Sequence, residues 1–169
     1  PLGIAALLSN YSEQLAALSG SIDVLVGGPP CQGFSMAGRR QHDDPRNQLF
    51  VQYLRLVKIV KPKIVLIENV RGFTMDFSVG ENVANYAAAL KEVLADDYAV
   101  HEQLLDLSRF GVPQARTRYF VIAVHVSVTT ADPFMLLESR IPSFLRSLGI
   151  SAPVSSSNAI SDLEISRCG

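Results

Sequence analysis

The sequence predicts an α/β protein, a three-layer sandwich whose mostly parallel sheet ends in an antiparallel hairpin. Two continuous apolar runs, 22–26 and 64–67, have the character of buried parallel strands. A helical period over 49–60 separates them, and this strand–helix–strand order implies a right-handed crossover between two parallel strands. Two later strand-like runs, 98–107 and 118–126, are expected to pair as the hairpin.

Length and composition predict one globular domain. The 169 residues are enough for a workable core, and 48% hydrophobic with 18% charged residues excludes a disordered chain. The net charge of -1 and the pI of about 6.4 are not the basic balance of a self-sufficient nucleic-acid binder.

The other segments have weaker patterns. Residues 1–21 are predicted to form an amphipathic helical segment interrupted near Ser9 and Asn10. An irregular loop over 71–81 and a helix over 82–94 are predicted next. Residues 136–148 have a helical tendency that Pro142 is expected to break. No apolar run is long enough to cross a membrane, and the first residues lack a signal-peptide pattern.

The cysteines argue for a reducing, intracellular location. Cys31 and Cys168 are the two cysteines, and their positions do not suggest a disulfide framework. We expect the cytoplasm of a prokaryote or the nucleus of a eukaryote. His42 is a lone histidine without metal-ligand spacing, so no metal site is predicted.

The loop over 27–35 is the most informative segment. The first strand stops abruptly at Gly27-Gly28-Pro29-Pro30, because proline fixes φ and donates no hydrogen bond. Cys31 therefore lies on a stiff loop at the carboxyl end of a strand, where ligands bind in open α/β sheets. The residues alone leave two interpretations open: a small inert thiol or a positioned nucleophile. A phosphate-binding loop is excluded, because no Gly-Lys-Ser/Thr follows.

Two further segments lie at predicted strand ends. Glu68-Asn69-Val70 directly follows the second apolar run. Gln114, Arg116 and Arg118 alternate where the chain enters the last predicted strand, so their side chains can face one side. Each segment alone also fits a bland interpretation, an exposed acid at a strand exit and a charged edge strand.

Together, the Pro-Cys-Gln, Glu-Asn-Val and Gln-x-Arg-x-Arg segments resemble the motifs of the cytosine-5 DNA methyltransferases. The resemblance implies a Rossmann-like S-adenosylmethionine-dependent methyltransferase fold, truncated here. It is strongest over 22–125. We find no counterpart of the N-terminal cofactor-binding part or of the target-recognition domain, and expect residues 1–169 to form a single partial catalytic domain.

The resemblance assigns covalent chemistry to this site. In the family a cysteine thiolate adds to carbon 6 of a flipped cytosine, and carbon 5 then accepts a methyl group. Cys31 matches the nucleophile and Glu68 the general acid at ring nitrogen 3. Asn69 would hold the local geometry, Arg118 would bind the exocyclic oxygen, and Arg116 would support it or bind a phosphate.

Other matches concern binding. Pro30 and Leu49 correspond to positions that line the base and cofactor pocket, and Gln32, Ser35 and Gln114 to substrate-binding positions. The implied cofactor is S-adenosyl-L-methionine. The implied partners are DNA, with tRNA as an alternative, and the remainder of the methyltransferase chain or a complementing subunit.

A different class of function stays open. A non-catalytic or partner-dependent methyltransferase-like module would explain the missing cofactor loop, although the intact Cys31, Glu68 and Arg118 argue against degeneration. An unrelated thiol enzyme is disfavoured, because no histidine or second cysteine has motif-like spacing to Cys31.

Overall fold

The computed structural model describes residues 2–30, 47–79, 82–151 and 153–163. The helices are α1 (Ile4–Asn10), α2 (Ser12–Ala17), α3 (Asn47–Val60), α4 (Tyr86–Leu94), α5 (Pro133–Ser147) and α6 (Ser156–Ala159). The strands are β1 (Val24–Gly27), β2 (Ile64–Asn69), β3 (Phe77–Val79), β4 (Asn82–Ala84), β5 (Tyr98–Asp106) and β6 (Thr117–His125). Short 3-10 turns cover Arg71–Thr74, Leu107–Phe110 and Ser161–Leu163.

The main sheet has the strand order β1-β2-β6-β5. β1 and β2 are parallel, with register from Val24↔Ile64 to Gly27↔Ile67. β6 runs antiparallel to both of its neighbours, β2 and β5. Three strands therefore point one way and one points back, which confirms the predicted α/β sheet with an antiparallel β5–β6 pair. β3 and β4 form a separate two-stranded ribbon.

Helices cover both faces of this sheet, so the predicted three layers are confirmed. α3 and α4 pack on one face, because their apolar residues recur at helical spacing and form one core with the inward residues of the strands. That core includes Phe50, Tyr53, Val57, Leu90 and Leu94 from the helices, and Val65, Ile67, Tyr119, Val121 and Ala123 from the sheet. α5 lies on the other face, where Gln103 Nε2 donates to Glu138 Oε1 at 2.9 Å.

The N-terminal helices extend the first helical layer. Leu8 of α1 and Leu15 of α2 pack on Leu56 and Val60 of α3. The predicted interruption of this segment is confirmed by the break between α1 and α2 at Tyr11. In the described part of the chain, no helix combines the length and apolar character that a membrane span requires.

Two predictions about the helices are wrong, and the predicted irregular loop over 71–81 contains a 3-10 turn and strand β3. Helix α4 begins at Tyr86 rather than at residue 82, because Asn85 caps it by accepting from Ala88 N at 3.1 Å. Helix α5 runs through Pro142 without a break. Its buried residues Phe134 and Ile141 both precede the proline, and burial of these side chains offsets one missing backbone hydrogen bond.

Tyr98 ties the start of β5 to the loop before β2. Its side chain is buried, and Oη donates to Pro62 O at 2.8 Å. Burial, and to a lesser degree the carboxylate of Asp97, raises the pKa of Tyr98 to about 12. The folded state therefore keeps the phenol protonated at pH values where the unfolded chain loses the proton.

We expect the free energy of unfolding to fall as pH rises from 10 towards 12. The stabilising contribution of Tyr98 is complete below its unfolded pKa of 10.0 and is lost as pH approaches its folded value. Urea unfolding at several pH values should show a shallower alkaline slope for Tyr98→Phe than for the unsubstituted chain. Tyr11→Phe, at an exposed side chain, is the matched one-hydroxyl control. Equal slopes for all three proteins would contradict this account.

Candidate active site

The site forms where β1 and β2 end side by side. Their parallel pairing brings Gly27 and Ile67 to the same level of the sheet, so residues 28–30 and 68–70 leave from one edge. Asn69 joins the two exits: its Nδ2 donates to Pro29 O at 3.1 Å, and its Oδ1 accepts from Val70 N at 2.9 Å. With its side chain only 4% exposed, this amide fixes the backbone that leads into Cys31.

Two glycines let the β1 exit approach its neighbours. A Cβ on Gly28 would lie 3.5 Å from Glu68 Oε2, so the loop passes directly beside this carboxylate. A Cβ on Gly27 would lie 2.3 Å from Cε2 of buried Tyr53. The absence of a side chain at Gly27 is therefore required by close packing against α3.

Glu68 and Arg118 form an ion pair at this edge. Arg118 Nε lies 3.0 Å from Glu68 Oε1, and Arg118 Nη1 donates to Thr117 O at 2.8 Å. The Arg118 side chain is 16% exposed and that of Glu68 is 46% exposed. The pair therefore presents one oriented guanidinium and one accessible carboxylate to the open edge.

Alternation along the strands separates the ion pair from the core. Glu68 and Arg118 project from the face that also carries α5, whereas Asn69 and Tyr119 project into the core. Asn69 and Tyr119 are cross-strand partners in the β2–β6 register. The inward residues thus fix the strand ends that aim the outward pair.

A buried aromatic network supports this strand end, and sequence reasoning missed it. Tyr119 donates to Glu102, whose other oxygen lies 2.7 Å from Lys91 Nζ. Its ring stacks on Phe73 with centroids 5.7 Å apart. Burial, followed by the Glu102 carboxylate, raises the pKa of Tyr119 well above its usual range. The signal available in the sequence is a tyrosine next to Arg118 in an apolar strand. That pattern does not reveal its hydrogen-bond partner Glu102, which lies on another strand.

The structure brings together Glu68, Asn69 and Arg118. It does not bring Gln114 and Arg116 to them through strand alternation, because β6 begins at Thr117. Both are exposed and form no side-chain hydrogen bond or ion pair among the described residues. Cys31, Gln32 and Ser35 lie outside the described residues.

The predicted cofactor-lining positions are apolar. Pro30 is exposed and Leu49 is partly exposed at the start of α3. These side chains can contact an apolar surface of S-adenosylmethionine but cannot hydrogen-bond to its ribose or amino-acid part. Pro30 and Leu49 therefore fit only an apolar flank of S-adenosylmethionine. Among the described residues, no cluster of three or more side chains is arranged to hold a metal ion.

The fold is an α/β sheet with polar side chains gathered at one edge, and comparison with known proteins gives the family. The profile of the C-5 cytosine-specific DNA methylase family matches residues 9–164. The chain belongs to this family.

Individual relatives agree. The chain is 44% identical over 109 residues to the type II methyltransferase M.AgeI of Thalassovita gelatinovora, covering 64% of this chain and 24% of that protein. It is 38% identical over 118 residues to M.AquIA of Picosynechococcus sp., covering 66% and 47% respectively. It is 40% identical over 108 residues to M.DdeI of Desulfomicrobium norvegicum, and the match covers 61% of this chain and 25% of that protein. The chain thus spans about a quarter of M.AgeI and M.DdeI.

A solved structure supports the fold. A crystal structure assigned to a DNA modification methyltransferase encoded within an E. coli prophage superimposes with a TM-score of 0.57 at 32% identity. The match covers 74% of this chain and 33% of the other. Methyltransferases of this family and fold use S-adenosylmethionine.

The contact between Gly27 and Tyr53 can be tested by substitution. Gly27→Ala should lower the free energy of unfolding by about 1–3 kcal/mol, because the new Cβ overlaps the Tyr53 ring. Gly3→Ala is the control, since a Cβ there meets nothing within 4 Å. Adding Tyr53→Leu to Gly27→Ala should cost less than the two single changes summed. Equal stability of the Gly27 and Gly3 variants would contradict the close packing.

Proposed function

We propose that this chain is the central part of the catalytic domain of a cytosine-5 DNA methyltransferase and that Cys31 is its nucleophile. The observation that carries the proposal is the shared edge: Asn69 holds Pro29, two residues before Cys31, beside the Glu68–Arg118 ion pair. Family membership supplies the reaction class, and this arrangement supports the residue roles.

The first chemical step is addition of the Cys31 thiolate to carbon 6 of cytosine. The new sulfur–carbon bond breaks the 5,6 double bond and moves electron density to carbon 5. An unperturbed cysteine has a pKa of about 8.5, so the thiolate is a minority species at neutral pH. The addition therefore requires that the covalent adduct with cytosine be stabilised. In its protonated form Glu68 supplies this stabilisation, by hydrogen bonding to ring nitrogen 3 or donating a proton to it, a contribution of roughly 10²–10⁴ in rate.

Arg118 orients the base in this scheme. Its Nε is engaged by Glu68 and its Nη1 by a backbone carbonyl, so the planar guanidinium is fixed before substrate arrives. Its remaining donors can bind the exocyclic oxygen of cytosine. Arg116 and Gln114, exposed in the preceding loop, are free to contact the substrate backbone.

S-adenosylmethionine, when bound, supplies the methyl group that carbon 5 accepts. Pro30 and Leu49 are proposed to flank it, and Gln32 and Ser35 to contact the nucleotide backbone. After methylation, the carbon 5 proton passes to solvent, the nitrogen 3 proton returns to Glu68, and the sulfur–carbon bond breaks so that Cys31 departs as a thiolate and the 5,6 double bond is restored. Because the reaction needs a free thiol, a reducing intracellular compartment is part of the proposal.

We further propose that another polypeptide segment completes the sheet at β1. β1 is the first strand in the order of the main sheet and has one unpaired edge among the described residues. Its residues Val24 and Val26 are 49% and 65% exposed, although both belong to an apolar strand. Such a strand is normally covered on both faces and paired on both edges. The remainder of a methyltransferase chain or a complementing subunit would cover it and supply the polar half of the cofactor site. A partner-dependent module is therefore the second candidate function.

A chimera tests the catalytic proposal. Residues 22–125 of this chain should replace the corresponding segment of M.AgeI, and transfer of labelled methyl groups to DNA and to tRNA should be measured. We expect 5-methylcytosine in DNA, background activity for Cys31→Ser, and a loss of about 10²–10⁴-fold for Glu68→Gln. Glu92→Gln, at an exposed position on α4, is the matched control and should keep the parent rate.

Two results would overturn the proposal. Undiminished methylation by Cys31→Ser would exclude this residue as nucleophile. Methylation of tRNA but not DNA by an otherwise active chimera would assign the substrate to RNA. An inactive chimera beside an active M.AgeI parent would favour the non-catalytic module.

A further inference from the structure

A cavity of about 500 Å³ lies apart from the Glu68–Arg118 pair. It is bounded by the turn Leu107–Phe110, the second half of α5 and the residues Ile150, Ser151 and Pro153. Its volume falls within the roughly 300–1,000 Å³ typical of small-molecule sites.

Two arginines without an anionic partner line this cavity. Arg109 comes from the turn and Arg146 from α5, and both are exposed. Neither forms an ion pair or side-chain hydrogen bond in the described part of the chain, in contrast to Arg118 with Glu68. A cation in the last turn of α5 is favoured by the helix dipole, which accounts for Arg146 but not for Arg109. The cavity is thus positively charged and complementary to an anion.

The remaining wall is apolar. Ile141, Leu145, Ile150 and two prolines line it, with Ser108 as a hydroxyl near Arg109. A free inorganic anion would gain nothing from these side chains. A nucleotide would use both parts, because its base packs on apolar and guanidinium surfaces while its phosphate pairs with arginine.

The cavity shares a loop with the candidate active site. Gly111 has a φ of +80°, and a Cβ there would lie 2.9 Å from Ile150 Cδ1, so the loop packs tightly on the cavity wall. Ser156 Oγ donates to Pro113 O at 2.8 Å and fastens the segment after α5 to the same loop. Five residues after Pro113, the chain reaches Arg118.

We propose that this cavity binds one nucleotide of the nucleic-acid substrate outside the target cytosine, with its phosphate beside Arg109 and Arg146 and its base on the wall around Ile150. The inference rests on the proposed function for the substrate class but concerns a separate site. Its consequence is that a bound neighbouring nucleotide contacts the loop that leads into β6 and Arg118.

Methyl NMR of the full 169-residue chain tests this directly. An eight-nucleotide single-stranded oligothymidine is titrated into protein labelled at isoleucine methyl groups, without cofactor. The signals of Ile141 and Ile150 should shift and saturate, whereas Ile22 serves as the remote reference. Arg109→Gln and Arg146→Gln should each weaken binding about five-fold or more, and lower the slope of log affinity against log salt by about 0.7.

Arg140→Gln is the matched control, because Arg140 is exposed on the same helix but does not line the cavity. Its affinity should stay within two-fold of the parent value, an order-of-magnitude expectation for a surface charge. Equal weakening by all three arginine variants would overturn the site in favour of general surface charge. Thymidine monophosphate should shift Ile150 at lower concentration than inorganic phosphate; equal potency would overturn the nucleotide assignment and leave a simple anion site.

Failure of this inference is distinguishable from failure of the proposed function. The titration involves neither Cys31 nor methyl transfer. If methylation does not depend on Cys31 but oligonucleotide binding depends on Arg109 and Arg146, the catalytic proposal alone is overturned. If methylation depends on Cys31 but binding does not depend on these arginines, the nucleotide site in the cavity alone is overturned.

Discussion

The parallel pairing of β1 with β2, closed by the Asn69 side chain, is the constraint on which the site depends. Register fixes both strand ends at one edge, but the chain beyond each end could still diverge. The hydrogen bond from Asn69 to Pro29 O prevents this by joining the two exits in a buried position. Gly27 permits close packing of this strand end on α3, because a side chain there would overlap Tyr53, and Gly28 passes beside Glu68.

The reversed strand β6 adds the third component. Lying between β2 and β5, it carries Arg118 next to Glu68 on one face and Tyr119 into the core on the other. The Tyr119 contacts to Glu102 and Phe73 therefore stabilise the strand end from which the ion pair projects. The core residues and the ion pair lie on opposite faces of the same strands. Changes in the core are therefore expected to affect the site by shifting the position of these strands.

Much of this arrangement could be predicted from the sequence, because the decisive signals are local. The apolar runs before Gly27 and Glu68 mark two strand ends, and the parallel pairing implied by the strand–helix–strand order places them at one edge. Other features depend on contacts between distant segments. The insertion of β6 between β2 and β5, the Tyr119–Glu102 contact and the cavity beneath Gly111 leave no local pattern. The predicted break at Pro142 is wrong because burial of Phe134 and Ile141, in the part of the helix before the proline, overrides local propensity.

Covalent trapping tests the central claim most directly, namely that Cys31 acts as a nucleophile towards cytosine. The M.AgeI chimera carrying residues 22–125, with S-adenosylmethionine, is mixed with a duplex containing 5-fluorocytosine and resolved by denaturing electrophoresis and peptide mass spectrometry. We predict a stable adduct on the peptide that contains Cys31, absent from Cys31→Ser. An adduct that persists in Cys31→Ser, or none from a chimera that methylates ordinary cytosine, would contradict the account.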